Sequence, residues 1–295
     1  MRSLIIAPLP DNLNLNSSLT TALQKSVEKA TDVGLIFTGE LPRQSERHGS
    51  FTRFQAFLIE IYSTLIANRK DKSNWWAGNI DVWFESFWQS DWMYKARLTD
   101  WDIMYTTSDV LSTISGSKLQ DIPIKQTIEG LEGVKIGKHK PDNGGIYDTI
   151  ALGGTFDHLH AGHKVLLTLA AYISRKKVVI GVTGPDLLTR KNDADVLESI
   201  ETRKAAVDGF LKRLRPDVEA YVFTLNDVYG PTGDDEDIDA IVVSRETLSG
   251  SDAINKKRKE NKIKELDVFM IELVDHTAEL KLSSTDIRKY IKNTV

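Results

Sequence analysis

The sequence contains no cysteine, which excludes both a disulfide framework and any thiolate metal site. It also lacks a long apolar run. The first such stretch, over 4–9, is interrupted by Pro8 and preceded only by Arg2, too short for a signal-peptide core or a membrane span. Excess charge is small: 38 Lys and Arg against 42 Asp and Glu leave a net −4, so no global positive field draws in nucleic acid. No internal repeat, heptad pattern or low-complexity tract stands out. These absences predict a cytoplasmic protein that binds neither nucleic acid nor membrane.

What is present suits a globular chain. The 295 residues leave room for two ordinary domains. Apolar residues at 41% and charged ones at 27% are enough for a core and a solvated surface. Strand-like and helix-like patterns alternate throughout, which predicts α/β architecture. In the first half, strands are expected over 3–7 and 33–38. Helices are expected from Asn16 or Ser17 to about Ala30, and over 51–68, where Phe54, Phe57, Leu58, Ile61 and Leu65 recur at helical spacing. All six tryptophans fall within 75–101. Phe84, Trp88 and Trp92 are spaced as on one helix face, and the cluster reads first as core, with a partner-binding surface as the other reading. No catalytic motif is recognisable over 1–140. The stretch 130–145, rich in glycine and lysine, reads as a linker. The expected domains are therefore 1–140 and 146–295.

The second half shows strands over 150–152, 177–182, 219–225, 239–243 and 267–273, with helices over 201–214, 247–261 and 284–292 among them. This pattern predicts a doubly wound parallel sheet, with the ligand loops on the edge formed by the strand C-termini. The stretch 150–163, Ile-Ala-Leu-Gly-Gly-Thr-Phe-Asp-His-Leu-His-Ala-Gly-His, organises that edge. A buried strand runs into Gly153 and Gly154, which permit a turn that a Cβ would obstruct. A helix then starts at His160. Its N–H groups and the positive end of its dipole make a phosphate cradle. His160 and His163, three apart, share the face of its first turn. Near the C-terminus, Ser283, Ser284 and Thr285 precede another helix. One hydroxyl suffices for an N-cap. The others, with Arg288 a turn later, are suited to triphosphate oxygens.

GGTFDHLHAGHK and SSTDIR resemble, in the right order, the two signatures of the HxGH/TxGH nucleotidyltransferases. More narrowly they resemble the eukaryotic and archaeal type of phosphopantetheine adenylyltransferase, over the chain from about Tyr147 onward. DVYGPT at 227–232 and SRETLSG at 244–250 add to the likeness. The resemblance implies a Rossmann-like domain that transfers AMP from ATP to 4′-phosphopantetheine, giving dephospho-coenzyme A and pyrophosphate, with Mg2+ carried by ATP. In such a reaction the attacking phosphate is already an anion. No general base or covalent intermediate is needed, only alignment and charge stabilisation. The sequence offers donors and cations for this: His160, His163, Lys164, Lys191, Arg245, Ser284, Thr285 and Arg288.

The resemblance implies catalytic roles for His160, His163 and Lys191, with His163 on the α-phosphate and His160 where bacterial enzymes carry threonine. It places Gly153, Thr155, Phe156, His163, Arg245, Ser283, Ser284, Thr285 and Arg288 at ATP, and Thr155 and Lys191 at the acceptor phosphate. Arg190, beside Lys191, stays open for the same task. No residue is expected to ligate a metal. Asp157 reads either as orienting a histidine or as capping the turn, His158 as a turn residue, and Arg203 as a partner in surface ion pairs. Asp234–Asp237 and the basic run 256–259 read as solvated. The bacterial Arg-Gly-x-x-Arg motif is missing, and Arg245 with the lysine-rich helix is its expected substitute. No GxxxxGK[ST] loop is present, so a separate dephospho-coenzyme A kinase is expected to follow in the pathway. Other coenzyme A enzymes are the expected partners of 1–140. The other readings are a cytidylyltransferase, a nicotinamide mononucleotide adenylyltransferase, or a scaffold for pathway enzymes. The absence of a Lys-Met-Ser-Lys-Ser loop argues against an aminoacyl-tRNA synthetase.

Overall fold

The computed structural model describes residues 1–42, 49–69, 80–88, 100–113, 118–131, 145–189, 193–271 and 284–294. The chain forms two compact units: Met1–Arg43 with Thr52–Asp142, and Gln44–Phe51 with Asn143–Val295.

The first unit is built on strands β1 (Arg2–Pro8), β2 (Asp32–Thr38), β3 (Ile80–Phe84), β4 (Ile103–Thr106) and β5 (Ile124–Thr127). Helices α1 (Ser17–Val27), α2 (Gly49–Ala67) and α3 (Ser108–Thr113) lie between them in sequence. The sheet order is β3-β2-β1-β4-β5, and every pairing is parallel. The start of α1 follows from local chemistry, since Asn16 accepts the Leu19 N–H at 2.8 Å. Phe37, Phe54, Phe57 and Phe84 make the core, with ring centroids 5.1 Å apart for both Phe37–Phe57 and Phe54–Phe84.

The tryptophan region differs from the helix expected there. Phe84 ends a strand and Trp88 follows a 3-10 turn, Glu85–Phe87, so the two do not share a helix face. The run Ile-Asp-Val-Trp-Phe, paired to β2 at the edge of the sheet, outweighs the four-residue aromatic spacing. Trp83, Trp88 and Trp101 are buried, as a core reading requires. Gly34 permits this, because a Cβ there would stand 2.7 Å from Trp83 and 2.8 Å from Trp101. Trp75, Trp76 and Trp92 lie outside the described residues.

The second unit repeats the plan. Its strands are β6 (Tyr147–Gly154), β7 (Ser174–Thr183), β8 (Glu219–Leu225), β9 (Ala240–Ser244) and β10 (Asp267–Ile271). Its helices are α4 (Ala161–Ile173), α5 (Ile200–Leu214), α6 (Leu248–Glu260) and α7 (Ser284–Thr294). The order β10-β9-β6-β7-β8 is again fully parallel. In both units the first strand is central and the winding reverses between it and the fourth, which opens a crevice at the strand C-termini. Ile150, Leu152, Ile180 and Val242 are buried in this sheet, as apolar strands covered on both faces must be. Between β8 and β9 the chain makes only a 3-10 turn, Gly230–Gly233, where a doubly wound fold more often places a helix. No helix among the described residues is long and apolar enough to cross a membrane.

Candidate active site

The crevice beside β6 is shaped by backbone strain. After Gly154 the chain turns through Phe156 and His158 at φ 51° and 48°, a region costly for residues with a side chain. Phe156 is fully buried, and His158 is fixed through its N–H to Glu198 Oε2 at 2.7 Å and Nε2 to the Val196 carbonyl at 3.1 Å. His160 then occupies the N-cap of α4 without bonding the turn through its side chain. The first-turn N–H groups therefore have no side-chain cap, as a phosphate cradle requires.

The two histidines of the first turn stack, with ring centroids 3.9 Å apart at 25°, and Phe156 sits 5.2 Å from His163. His160 is buried, and that burial pushes its imidazole down to about 4, only partly offset by nearby Asp157. It is neutral at pH 7. Ser284 Oγ donates to the Asp157 carbonyl at 3.0 Å and lies 3.3 Å from His160 Nε2. With the single hydroxyl proton so placed, Nε2–H is the donor to Ser284 and Nδ1, which has no partner, is the bare acceptor. His163 is partly exposed and is the more accessible of the two rings.

The second signature meets the first. Arg288, fully buried, donates from Nη1 to Asp157 Oδ2 at 2.7 Å and from Nη2 to Thr285 Oγ at 3.2 Å. Asp157 Oδ1 accepts the Glu198 N–H at 3.0 Å. Asp157 does more than cap its own turn: its Oδ1 lies 3.7 Å from His158 Nε2, and it joins three segments. Arg288 was expected at the triphosphate, and its guanidinium is instead enclosed in this ion pair. Asp157, His158 and Glu198 place ligand atoms within 4.8 Å of one another. Each is already engaged in the hydrogen bonds above, so the group fits a loop clamp better than a resident metal.

Other expected residues fall into place differently. Thr155 lies in the turn, and its carbonyl accepts from Arg203 at 2.8 Å. Arg203 is not in surface pairs: it is buried, on the same helix stripe as Val207, Phe210 and Leu214. Lys164 is buried too, its Nζ 5.7 Å from the Phe210 ring, because α4 turns that position toward α5. Arg245 is exposed in the 3-10 turn that follows β9, the sheet neighbour of β6, and so leaves the same edge. Arg190, Lys191 and Ser283 lie outside the described residues. Within the basic run, Arg258 is fully buried rather than solvated. It donates to the carbonyls of Lys264, Thr232, Asp235 and Ile238 at 2.6–3.1 Å. Lys257 pairs with Asp234 at 2.8 Å and lies 5.0 Å from the Tyr229 ring.

An apolar slot opens beside the cradle. Gly153 and Gly181 floor it, and Phe223, Leu225, Val228, Tyr229 and Pro231 wall it. Asp227 shapes the loop by accepting the N–H groups of Tyr229 and Gly230 at 2.8 Å. Glu198, Arg203 and Arg258 were not expected to matter here. A cation on the apolar stripe of an amphipathic helix is the signal that marks both arginines.

A parallel sheet with paired histidines at the first helix N-terminus, tied to a second hydroxyl signature, defines a nucleotidyltransferase. The comparisons agree. Residues 151–290 match the cytidylyltransferase-like family model. An uncharacterised protein of Schizosaccharomyces pombe is 32% identical over 285 residues, covering 91% of this chain and 89% of that one. The phosphopantetheine adenylyltransferase of Saccharomyces cerevisiae is 39% identical over 158 residues, 52% of each chain, so the match spans about half of that enzyme. That of Methanothermobacter thermautotrophicus is 36% identical over 143 residues, 48% of this chain and 84% of its own. The chain belongs to the phosphopantetheine adenylyltransferase family.

Proposed function

We propose that the second unit transfers AMP from ATP to 4′-phosphopantetheine, releasing pyrophosphate and forming dephospho-coenzyme A. The observation that carries the acceptor choice is the apolar slot ending at Gly153 beside the phosphate cradle. The slot holds about 60 Å³, so it takes only a short, weakly polar segment of a pantetheine arm against those aliphatic and aromatic walls, and a charged choline or nicotinamide group does not suit it. The relatives named for this activity support the same acceptor.

The acceptor phosphate oxygen bonds to the α-phosphorus as the bond from that phosphorus to the bridging oxygen of pyrophosphate breaks. The nucleophile carries its own charge, so the protein's task is alignment and charge stabilisation. His163 and the first-turn N–H groups of α4 take the α-phosphate. The Ser284 backbone N–H and the Thr285 hydroxyl, with Ser283 and Arg245, take the outer phosphates, and Lys191 steadies both reacting groups. Neutral His160 holds Ser284 and stacks on His163, which orients the ring that meets the nucleotide. Mg2+ bound to ATP would supply neutralisation of phosphate charge. Imidazole and hydroxyl donors with Asp157 already paired fit an ion held chiefly by phosphate oxygens.

Pyrophosphate release measured over a panel of acceptors tests the reading. Turnover is expected with ATP and 4′-phosphopantetheine. Turnover only with nicotinamide mononucleotide, or only with CTP and phosphocholine or glycerol phosphate, would overturn it.

A further inference from the structure

The loop between β7 and α5, residues 184–198, leaves the site edge of the sheet and returns to it. Its two ends are held by one side chain. Arg203 Nη1 donates to the Thr183 carbonyl at 2.9 Å, the last residue before the loop. Its Nε donates to the Glu198 carbonyl at 3.0 Å, the last residue of the loop. The same Nη1 gives its other proton to the Thr155 carbonyl in the cradle at 2.8 Å. Three segments distant in sequence therefore share one planar guanidinium that is 1% exposed. Five N–H donors in a fixed fork suit this geometry, and an ammonium cannot reproduce it.

The clamp continues beyond Arg203. The Glu198 N–H reaches Asp157, Asp157 pairs with Arg288, and the Glu198 carboxylate holds His158. Burying a cation without a carboxylate directly on it is costly unless its donors are satisfied, and here carbonyls satisfy Nε and Nη1. A surface or packing role does not require acceptors drawn from the neck of a loop and from the phosphate turn together.

We infer that Arg203 is a positioning residue for nucleotidyl transfer: it ties Thr183 and Glu198, where the connection between β7 and α5 begins and ends, to Thr155 of the phosphate cradle. It touches no substrate and acts through the backbone carbonyls it holds. The inference rests on the nucleotidyl-transfer reading, and only its kinetic arm needs the acceptor named above.

The test compares Arg203→Lys with Arg215→Lys in the full-length protein. Arg215 is an equally buried arginine of this unit. It donates to the Ala171 carbonyl at 2.8 Å and pairs with Asp217 at 2.8 Å, at the far end of α4 from the histidines. Arg203→Lys is expected to lower kcat about 100-fold, as misplacement of reacting groups by about 1 Å does, and to shrink the rise in Tm that MgATP produces. Arg215→Lys is expected to lower Tm while keeping kcat and the MgATP shift within about twofold of wild type, because it touches no site segment. Should Arg203→Lys not fold, Arg203→Gln decides. Glutamine carries no charge to bury and lacks the fork that spans all three carbonyls. The same kinetic loss supports the inference. Turnover within twofold of wild type in folded Arg203→Lys, or in Arg203→Gln when Arg203→Lys does not fold, overturns it. So does activity that tracks Tm identically in both arginine variants. The MgATP shift needs no acceptor, so a wild type that binds MgATP but fails with 4′-phosphopantetheine sinks the acceptor choice alone.

Discussion

Arg288 and Asp157, separated by 131 positions in sequence, form an ion pair at 2.7 Å with both side chains enclosed. Together with the Ser284 contacts to Asp157 and His160, it holds the C-terminal hydroxyl signature on the glycine-histidine signature. Removing one partner of such a pair leaves an uncompensated buried charge. Arg288→Ala is therefore expected to destabilise the second unit by about 3–5 kcal/mol, read from urea unfolding. Adding Asp157→Asn should recover part of that loss, since no buried carboxylate is then left unpaired. A single variant as stable as wild type would show that the pair does not hold the signatures together.

His163→Ala should leave the fold intact, because the ring is only partly buried, and should cut kcat about 100- to 1,000-fold, the usual loss for one preorganised donor. Steady-state pyrophosphate release beside circular dichroism checks both halves. Near-normal turnover would place the reacting phosphates elsewhere.

Acid should weaken the fold through His160. Unfolded, its imidazole takes a proton near 6.5; folded, it stays neutral down to about 4. Between these values the unfolded chain binds more protons, so stability falls as pH drops from 6.5 toward 4. The contribution is of order 3 kcal/mol across that window. Unfolding free energies at pH 7 and pH 4.5 should differ less in His160→Gln, which cannot titrate. An equal slope in both proteins would refute this assignment.

Gly153→Ala probes the slot. A Cβ there meets nothing of the protein closer than 3.7 Å, so the fold should tolerate it. The added methyl projects from the slot floor and should raise KM for 4′-phosphopantetheine about 10-fold, the usual scale for one methyl-sized change in an apolar pocket. KM for ATP should change far less. A matching rise for both substrates would mean that the slot does not hold the acceptor.

Much of the fold was legible because local signals and tertiary outcome coincide. Buried parallel strands such as β6 and β9 are continuous apolar runs, Asn16 caps α1, and glycines mark the turn after β6. The segment around Phe84 and Trp88 was not legible in this way. A spacing of four fits both a helix face and a strand followed by a tight turn, and only pairing with β2 decides between them.

The sequence by itself determined the alternation of strands and helices, the cradle of Gly153, Gly154, His160 and His163, and the chemistry of donors and cations near it. These depend on dihedral preference, periodicity and residue type, all of which are local. Only the tertiary structure decided where the arginines go. Arg203, Arg258 and Arg288 look like surface cations or phosphate ligands in one dimension, and folded they are buried against carbonyls and a carboxylate. A guanidinium's role is set by acceptors contributed from distant segments, and those acceptors converge only when the sheet edge is assembled.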